Sequence, residues 1–485
     1  MTERSASATL SPGADPDRLD RHIWTLAGVV MLGAVMTMLD ATAVNVAFDA
    51  IRRDMNASLY ATQWVITAYL LTMAVVVPIT GWAIDRFGTK RLWMFAVSTF
   101  VFGSALCGLS WSVGSLIGFR ILQGAGGGMI VPLAQTILAE AAGPRRLGRA
   151  MSLLGVITIL GPVLGPVIGG VLVQAASWHW IFYINLPVGL AALAAGAKLL
   201  PDRETRPAAS LDLLGFLLAS LGIAGLTFGL SQASADSGVT NEAAYLPAIA
   251  GIVLLGAFVY HSLRRGSAAL IDVRLFTNRE FAVASVILFL ISAVLYGALL
   301  LLPLYYQMVR GTGAFDAGLL LVPQGLGVAM SMLIAGRLTD RLGARVVVVP
   351  GLLLAAVGTF VFTQATNDSP LALLAAALFV RGLGIGFIMT PTTAASYLSL
   401  PADTLGRAAG ATMILRQLGS SFGSAVFAMI LAQNLVRTST IPAFAGAFWA
   451  VVVLTLLVAV PAMLLPRLSR RRPATDTSPR EKQSS

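Results

Sequence analysis

Two ionisable side chains fall inside stretches that otherwise read as hydrocarbon. Asp40 sits in Leu39-Asp40-Ala41-Thr42-Ala43-Val44-Asn45, within an apolar segment running from about Ile23 to Ile51. Arg120 sits in a second such segment, in Arg120-Ile-Leu-Gln-Gly124-Ala-Gly126. A carboxylate in mid-membrane costs roughly 2.5–3.5 kcal/mol on insertion scales and is by default functional. The chemistry open to it is proton binding. A neighbouring guanidinium favours the ionised form, and desolvation favours the protonated one. A movement that changes their separation or wetting would therefore load and unload a proton. At 1.5 Å per residue, Asp40 lies about 16 Å and Arg120 about 13 Å below the outer ends of their helices. An ion pair between them is thus feasible. Asp40 is the candidate proton carrier and Arg120 the residue that tunes it. The competing role for both is a structural tether.

The elements that must position them follow from composition. The 485 residues are 57% hydrophobic and 11% charged, with mean hydropathy +0.82, whereas soluble domains carry about 25% charged residues. The chain reads as a polytopic membrane protein. Fourteen apolar spans are expected, at about 23–47, 60–81, 92–111, 113–139, 150–174, 180–200, 212–231, 244–263, 281–306, 317–338, 346–365, 370–397, 408–433 and 442–466. Each must be a helix, because backbone groups in lipid cannot go unpaired. The first apolar run is too long for a signal-peptide core, so it is expected to be retained. Lys and Arg concentrate on one set of connections, including Lys90, Arg91, Arg145, Arg146, Arg264, Arg265, Arg345 and the Arg470-Arg471-Arg472 run. By the positive-inside rule that set, and both termini, face the cytoplasm.

The chain repeats itself. Gly81-Trp-Ala-Ile-Asp85-Arg86-Phe-Gly88 follows span 2, and Gly336-Arg-Leu-Thr-Asp340-Arg341-Leu-Gly343 follows span 10, 255 residues on. Arg120 has an echo in Arg381. Two six-span halves related in this way place a binding site at the repeat interface near the midplane. The expected units are a tail (1–22), a six-helix bundle (23–200), a linker with two extra spans (201–280), a second bundle (281–466) and a basic tail (467–485). Asp85 and Asp340 are expected just before helices, where a carboxylate is favoured by the dipole. Asp85-Arg86 and Asp340-Arg341 would form breakable latches across the cytoplasmic face. In span 5, Gly155, Gly161-Pro162, Gly165-Pro166, Gly169 and Gly170 would form a close-packed, leak-resistant seam with a flexing point.

These segments resemble the major facilitator superfamily. The Gly81–Gly88 loop looks like its signature loop, and the span 5 glycines and prolines look like its antiporter motif. Leu39-Asp40-x-Thr42-x-x-Asn45, Trp64-Val-Ile-Thr-Ala-Tyr69 and Trp180-Ile-Phe-Tyr-Ile-Asn185-Leu-Pro187 are similar to its fourteen-span drug:proton antiporter branch. The resemblance implies an all-α major facilitator fold of two six-helix bundles with two extra helices between them. It implies proton-driven export of amphipathic drugs from the cytoplasm or inner leaflet of a bacterial inner membrane, by a protein functional as a monomer. It places Tyr69, Gln135, Tyr296 and Gln324 in cavity-lining spans. Met389, Met413 and Gln417 fall there too, although Met and Tyr in a membrane helix also serve as plain packing. One membrane acid suits a low proton count and neutral or monocationic substrates. Export of a single endogenous metabolite is the alternative within transport. A membrane sensor or lipid-handling protein without coupled transport is the alternative outside it.

Other classes find no support in the sequence. The basic excess, +11 overall, is spread over short membrane loops and a tail, so no nucleic-acid partner is expected. No cofactor motif or enzyme constellation is present. His22, His179 and His261 are far apart in sequence, so no metal site is expected. The single Cys107 excludes an internal disulfide. The run Gly124-Ala-Gly126-Gly127-Gly128 in mid-membrane reads as helix packing, not as a phosphate cradle.

Overall fold

The computed structural model describes residues 20–202, 211–235, 242–266, 269–270, 272–398, 400–401 and 404–465. Among these residues the regular structure is helical throughout. The first half comprises α1 (Arg21–Asp54), α2 (Leu59–Val76), α3 (Thr80–Phe87), α4 (Thr89–Gly108), α5 (Val113–Ala175), α6 (Trp180–Tyr183) and α7 (Asn185–Leu199). Two further helices follow, α8 (Leu213–Ala235) and α9 (Glu242–Arg265). The second half comprises α10 (Arg279–Met308), α11 (Ala314–Leu319), α12 (Val322–Leu342), α13 (Ala344–Thr363), α14 (Leu371–Leu398), α15 (Leu405–Arg437), α16 (Thr440–Leu457) and α17 (Ala459–Ala462). Thirteen helices among the described residues are long and apolar enough to cross a membrane. The expected spans 113–139 and 150–174 are joined as one element, α5, which turns at Gly143 with φ 62°. No loop separates them, because a single residue in a conformation open to glycine makes the turn.

The second span runs further than its hydropathy suggests. A short 3₁₀ turn at Val77–Ile79 leads straight into α3. Asp85 therefore lies in the last turn of a helix, and Asp340 lies likewise near the end of α12. This corrects the expectation that each acid precedes a helix N-terminus. The true breaks are Gly88 (φ 81°, ψ 157°) and Gly343 (φ 85°, ψ 158°), matching backbone conformations in the two repeats. At the C-terminal end of a helix the dipole disfavours a carboxylate, so each acid needs a cationic partner.

Close approach of helices explains the glycine run in α5. A Cβ at Gly124 would stand 2.8 Å from Tyr69 O, and one at Gly126 would stand 2.5 Å from Ala96 O. Gly128 faces Met73 O in the same way. The first half of α5 is thereby wedged between α2 and α4, which holds Arg120 at a set depth.

The two extra helices pack on each other and reach the rest through α8. Ser220 Oγ donates to Val75 O at 2.7 Å, and Phe228 stacks on Trp64. Asp212 ties the pair together at one end. His261 Nε2 lies 2.9 Å from its Oδ1, and the Gly215 and Leu270 amides donate to it. Arg265 adds an ion pair at 3.4 Å. Burial pushes the Asp212 carboxyl upward, but the His261 and backbone hydrogen bonds outweigh it and hold the group below the usual carboxylate range. A depressed folded-state value contributes stability above the unfolded value, lost as pH falls through the folded one. Asp212→Asn is expected to cost about 1–3 kcal/mol, read as a lower melting temperature in detergent at pH 7. The gap to wild type should close as the pH is taken below 4.

Candidate functional site

The sequence places Asp40 on α1 and Arg120 on α5, and the fold brings them together. Arg120 Nη1 lies 2.5 Å from Asp40 Oδ2, and each side chain is about 1% exposed. Two amides complete the shell. Gln123 Nε2 donates to Asp40 Oδ1 at 2.9 Å, and Asn185 Nδ2 donates to the same oxygen at 3.3 Å. The Gln123 orientation is set chemically, since its Oε1 accepts from Arg120 at 2.8 Å and a guanidinium can only donate. All three partners of Asp40 are donors, which suits an ionised carboxylate.

Arg120 is held as tightly as its partner. Its Nε donates to Val65 O at 3.2 Å, and its guanidinium lies 3.8 Å above the Tyr69 ring. Asn185 also donates to Ser104 Oγ, which donates to Phe182 O. Tyr69, expected at the cavity wall, is instead fully buried beneath Arg120. The reason is the helix face: position 69 points at α5. Asn185 falls within one of the quoted motifs, but nothing in the sequence gives it or Gln123 a role beside Asp40, because neutral amides raise no charge anomaly. Gln123 was findable, being one helical turn from Arg120 and on the same face.

A central cavity of about 380 Å³ lies between the halves. Gln135, Tyr296, Gln324 and Met389 line it, together with Asn45, Thr393 and Arg416. Met413 and Gln417 line a neighbouring cavity, which Tyr296 and Thr42 also border. Asp40 lines neither. In the second half Arg381 occupies the place of Arg120, but its partners are neutral. It donates to Gln324 Oε1 at 2.5 Å, Thr359 Oγ1 at 3.2 Å and Val294 O at 3.4 Å. On the far side of the molecule His179 stacks on Trp178, whose indole donates to Asp54. Burial lowers the His179 imidazole below its ordinary range, with Asp54 pulling the other way.

The halves meet at the end that carries the repeated loops. Asp85 pairs with Arg407 at 3.2 Å, and Asp340 pairs with Arg149 at 3.4 Å. Asp340 Oδ1 also accepts from Gly148 N at 3.1 Å. Each acid thus reaches the opposite half, while Arg86 and Arg341 are exposed. Arg149 and Arg407 looked like ordinary loop cations. Their signal was present, since Leu147-Gly148-Arg149-Ala150 recurs as Leu405-Gly406-Arg407-Ala408. Glycine lets the backbones touch. A Cβ on Gly81 would stand 3.0 Å from Arg407 Cα, and one on Gly336 would stand 2.8 Å from Arg149 Cα. In the second half of α5, a Cβ on Gly165 would strike Thr42, and one on Gly169 would stand 3.0 Å from Ala43 O. Gly161, Pro162 and Pro166 fall where side chains lie outside the described residues.

Two helical bundles around a central cavity, sealed at one end by cross-half ion pairs, define a membrane transporter. The Major Facilitator Superfamily model matches residues 30–424. A Mycobacterium tuberculosis protein described as a multidrug resistance protein B homolog is 41% identical over 430 residues, 88% of this chain and 79% of its own length. The Haemophilus influenzae multidrug export protein EmrB is 32% identical over 81% of this chain and 78% of its own. The proton:xylose symporter XylE shares the fold, with TM-score 0.63 at 16% identity over 92% of this chain and 96% of its own. The chain belongs to the Major Facilitator Superfamily and is a transporter, not an enzyme.

Two measurements check the site. Removing one member of a buried ion pair costs about 3–5 kcal/mol, whereas replacing both is milder. Arg120→Gln should therefore lower the melting temperature strongly, and Asp40→Asn with Arg120→Gln should recover most of the loss. Overpacking the seal with Gly336→Val costs about 1–3 kcal/mol, a shift of at least ~5-fold in a two-state equilibrium. Thiol labelling of an engineered cysteine at Leu154, applied from the loop-motif side, should speed up accordingly.

Proposed function

We propose that this transporter exchanges protons for amphipathic small molecules, exporting them across a bacterial inner membrane with both termini cytoplasmic. The observation that carries this reading is the buried Asp40–Arg120–Gln123–Asn185 shell within a membrane-spanning bundle. A carboxylate so placed is expensive and has proton binding as its natural chemistry. Asp40 is the proton carrier. Arg120 and the two amides stabilise its charged form and lose that grip when the bundle shifts. The cavity between the halves takes the substrate, and 380 Å³ falls within the range of small-molecule pockets, about 300–1,000 Å³.

The gating roles follow from the seal. Lys and Arg concentrate on the connections at the loop-motif end, which supports a cytoplasmic placement of that end. The pairs Asp85–Arg407 and Asp340–Arg149 latch this face while the cavity serves the outside. Gly81, Gly88, Arg86, Arg341 and the span 5 residues Gly161, Pro162, Gly165 and Pro166 act in opening and closing. Relatives named for multidrug resistance support drugs or antibiotics as cargo, and a cavity lined by both halves of one chain supports the monomer as the working unit.

The test is transport into vesicles holding purified protein. An imposed pH gradient should drive uphill accumulation of a fluorescent amphipath in wild type. Asp40→Asn should abolish the gradient-driven part yet keep exchange of labelled for unlabelled substrate at equal concentrations. Normal uphill transport by Asp40→Asn would refute the assignment.

A further inference from the structure

We propose that the central cavity is built for amphipathic anions, with Arg416 meeting the negative charge of the substrate. The inference rests on the cavity being the substrate site of the exchange reading, and it names the class of substrate.

Charge on the cavity wall is the first ground. Arg416 reaches the cavity from α15, and the lining includes no Asp or Glu among the described residues. Among the described residues, the ionisable groups that act on Arg416 are the phenols Tyr296 and Tyr397. Asp40, the acid expected to favour monocationic cargo, is about 1% exposed and spent on Arg120. It therefore offers nothing to a cation in the cavity. Behind Gln324 of the wall, buried Arg381 is bonded, among the described residues, to neutral acceptors only. The second half thus brings two guanidinium groups to the cavity region without a carboxylate to balance them. A buried charge is costly until an opposite one is paired with it. An anion in the cavity supplies that partner, and a cation adds like-charge repulsion.

The hydrogen-bonding polarity of the wall is a second, independent ground. Arg381 takes the Gln324 oxygen, and a guanidinium has no acceptor, so the amide nitrogen of Gln324 is what remains for the cavity. Tyr397 Oη donates to the Gln135 oxygen at 3.1 Å, which again leaves an amide nitrogen. Two amide donors and a guanidinium thus face the cavity. Asn45, whose nitrogen donates to Ala41 O, offers an oxygen in return. Apart from the hydroxyls of Thr42, Tyr296, Thr390 and Thr393, the remaining wall is mostly apolar, with Met151, Leu154, Leu295, Val328, Met332 and Met389. That is a surface for an aromatic or alkyl body carrying a carboxylate, sulfonate or acidic phenol.

The experiment is equilibrium dialysis of two dyes of matched size against the full-length protein in nanodiscs, with empty nanodiscs as the blank. One is a naphthalene sulfonate, the other an aromatic quaternary ammonium. Wild type should retain the sulfonate at least about tenfold more tightly than the cation. Arg416→Gln should erase most of that preference, and Arg416→Lys should keep part of it. Equal or tighter binding of the quaternary ammonium by wild type overturns the proposal without any variant. So does sulfonate binding that Arg416→Gln leaves unchanged in a monodisperse preparation. If neither dye binds while a pH gradient still drives export, the anion inference falls and proton exchange stands. If the sulfonate binds as expected and no gradient drives it, exchange falls and the cavity assignment stands.

Discussion

One buried ion pair constrains this structure more than any other contact. Asp40 and Arg120 are both about 1% exposed in the middle of a membrane bundle. Stripping two such charges of water costs several kcal/mol each, and attraction repays the cost only if the remaining polar atoms are also satisfied. Here they are, through Gln123, Asn185, the Val65 carbonyl and the Tyr69 face. The partners come from α1, α2, α5 and α7, so the pair cross-links four helices of one half. The glycines at 124, 126 and 128 serve the same end, because only close-packed helices could bring these groups into register.

The pair and the cavity use opposite faces of α1. Asp40 and Thr42 are two residues apart, which is about 200° around a helix. Asp40 faces the interior of its own half, while Thr42 borders both cavities and packs at Gly165 of α5. Direct contact between proton and substrate is thereby ruled out in this conformation. Communication has to pass through the position of α1 itself, and the contact of Thr42 with Gly165 leaves that helix little room to move independently of the second half of α5. Polar packing inside the first half is thus converted into the shape of that half's own cavity wall.

Much of this was legible beforehand. Hydropathy gave the helices, the repeated loop gave the two halves, and depth along the helices made the Asp40–Arg120 pair feasible. What escaped was decided by facing and not by residue type. Tyr69 is polar and in a plausible helix, yet it points at Arg120. Hydropathy ended the second span at the motif, but glycine conformations at 88 and 343 set the real breaks, so Asp85 and Asp340 close helices instead of opening them. Arg149 and Arg407 hid among loop cations, because membrane loops are basic for reasons of topology alone. Gly143 hid in a Gly-Pro-Arg-Arg stretch that reads as a loop, although one residue suffices for the turn.

The two halves share a scaffold but not a charge. The first pairs its membrane arginine with a carboxylate, and the second leaves Arg381 among neutral acceptors. This asymmetry bears on how exchange could work. A proton on Asp40 leaves Arg120 uncompensated, and through-space attraction would then favour an anion in the cavity. Electrostatics alone therefore pulls proton and anion toward joint occupancy. Exchange requires the opposite, that loading one expels the other. For an anionic cargo the sign can be reversed only by geometry: loosening the Asp40 shell must tilt α1 enough to close the cavity wall before the added charge is felt. The separation of the pair from the cavity, by the width of one helix, is what makes such a mechanical coupling possible.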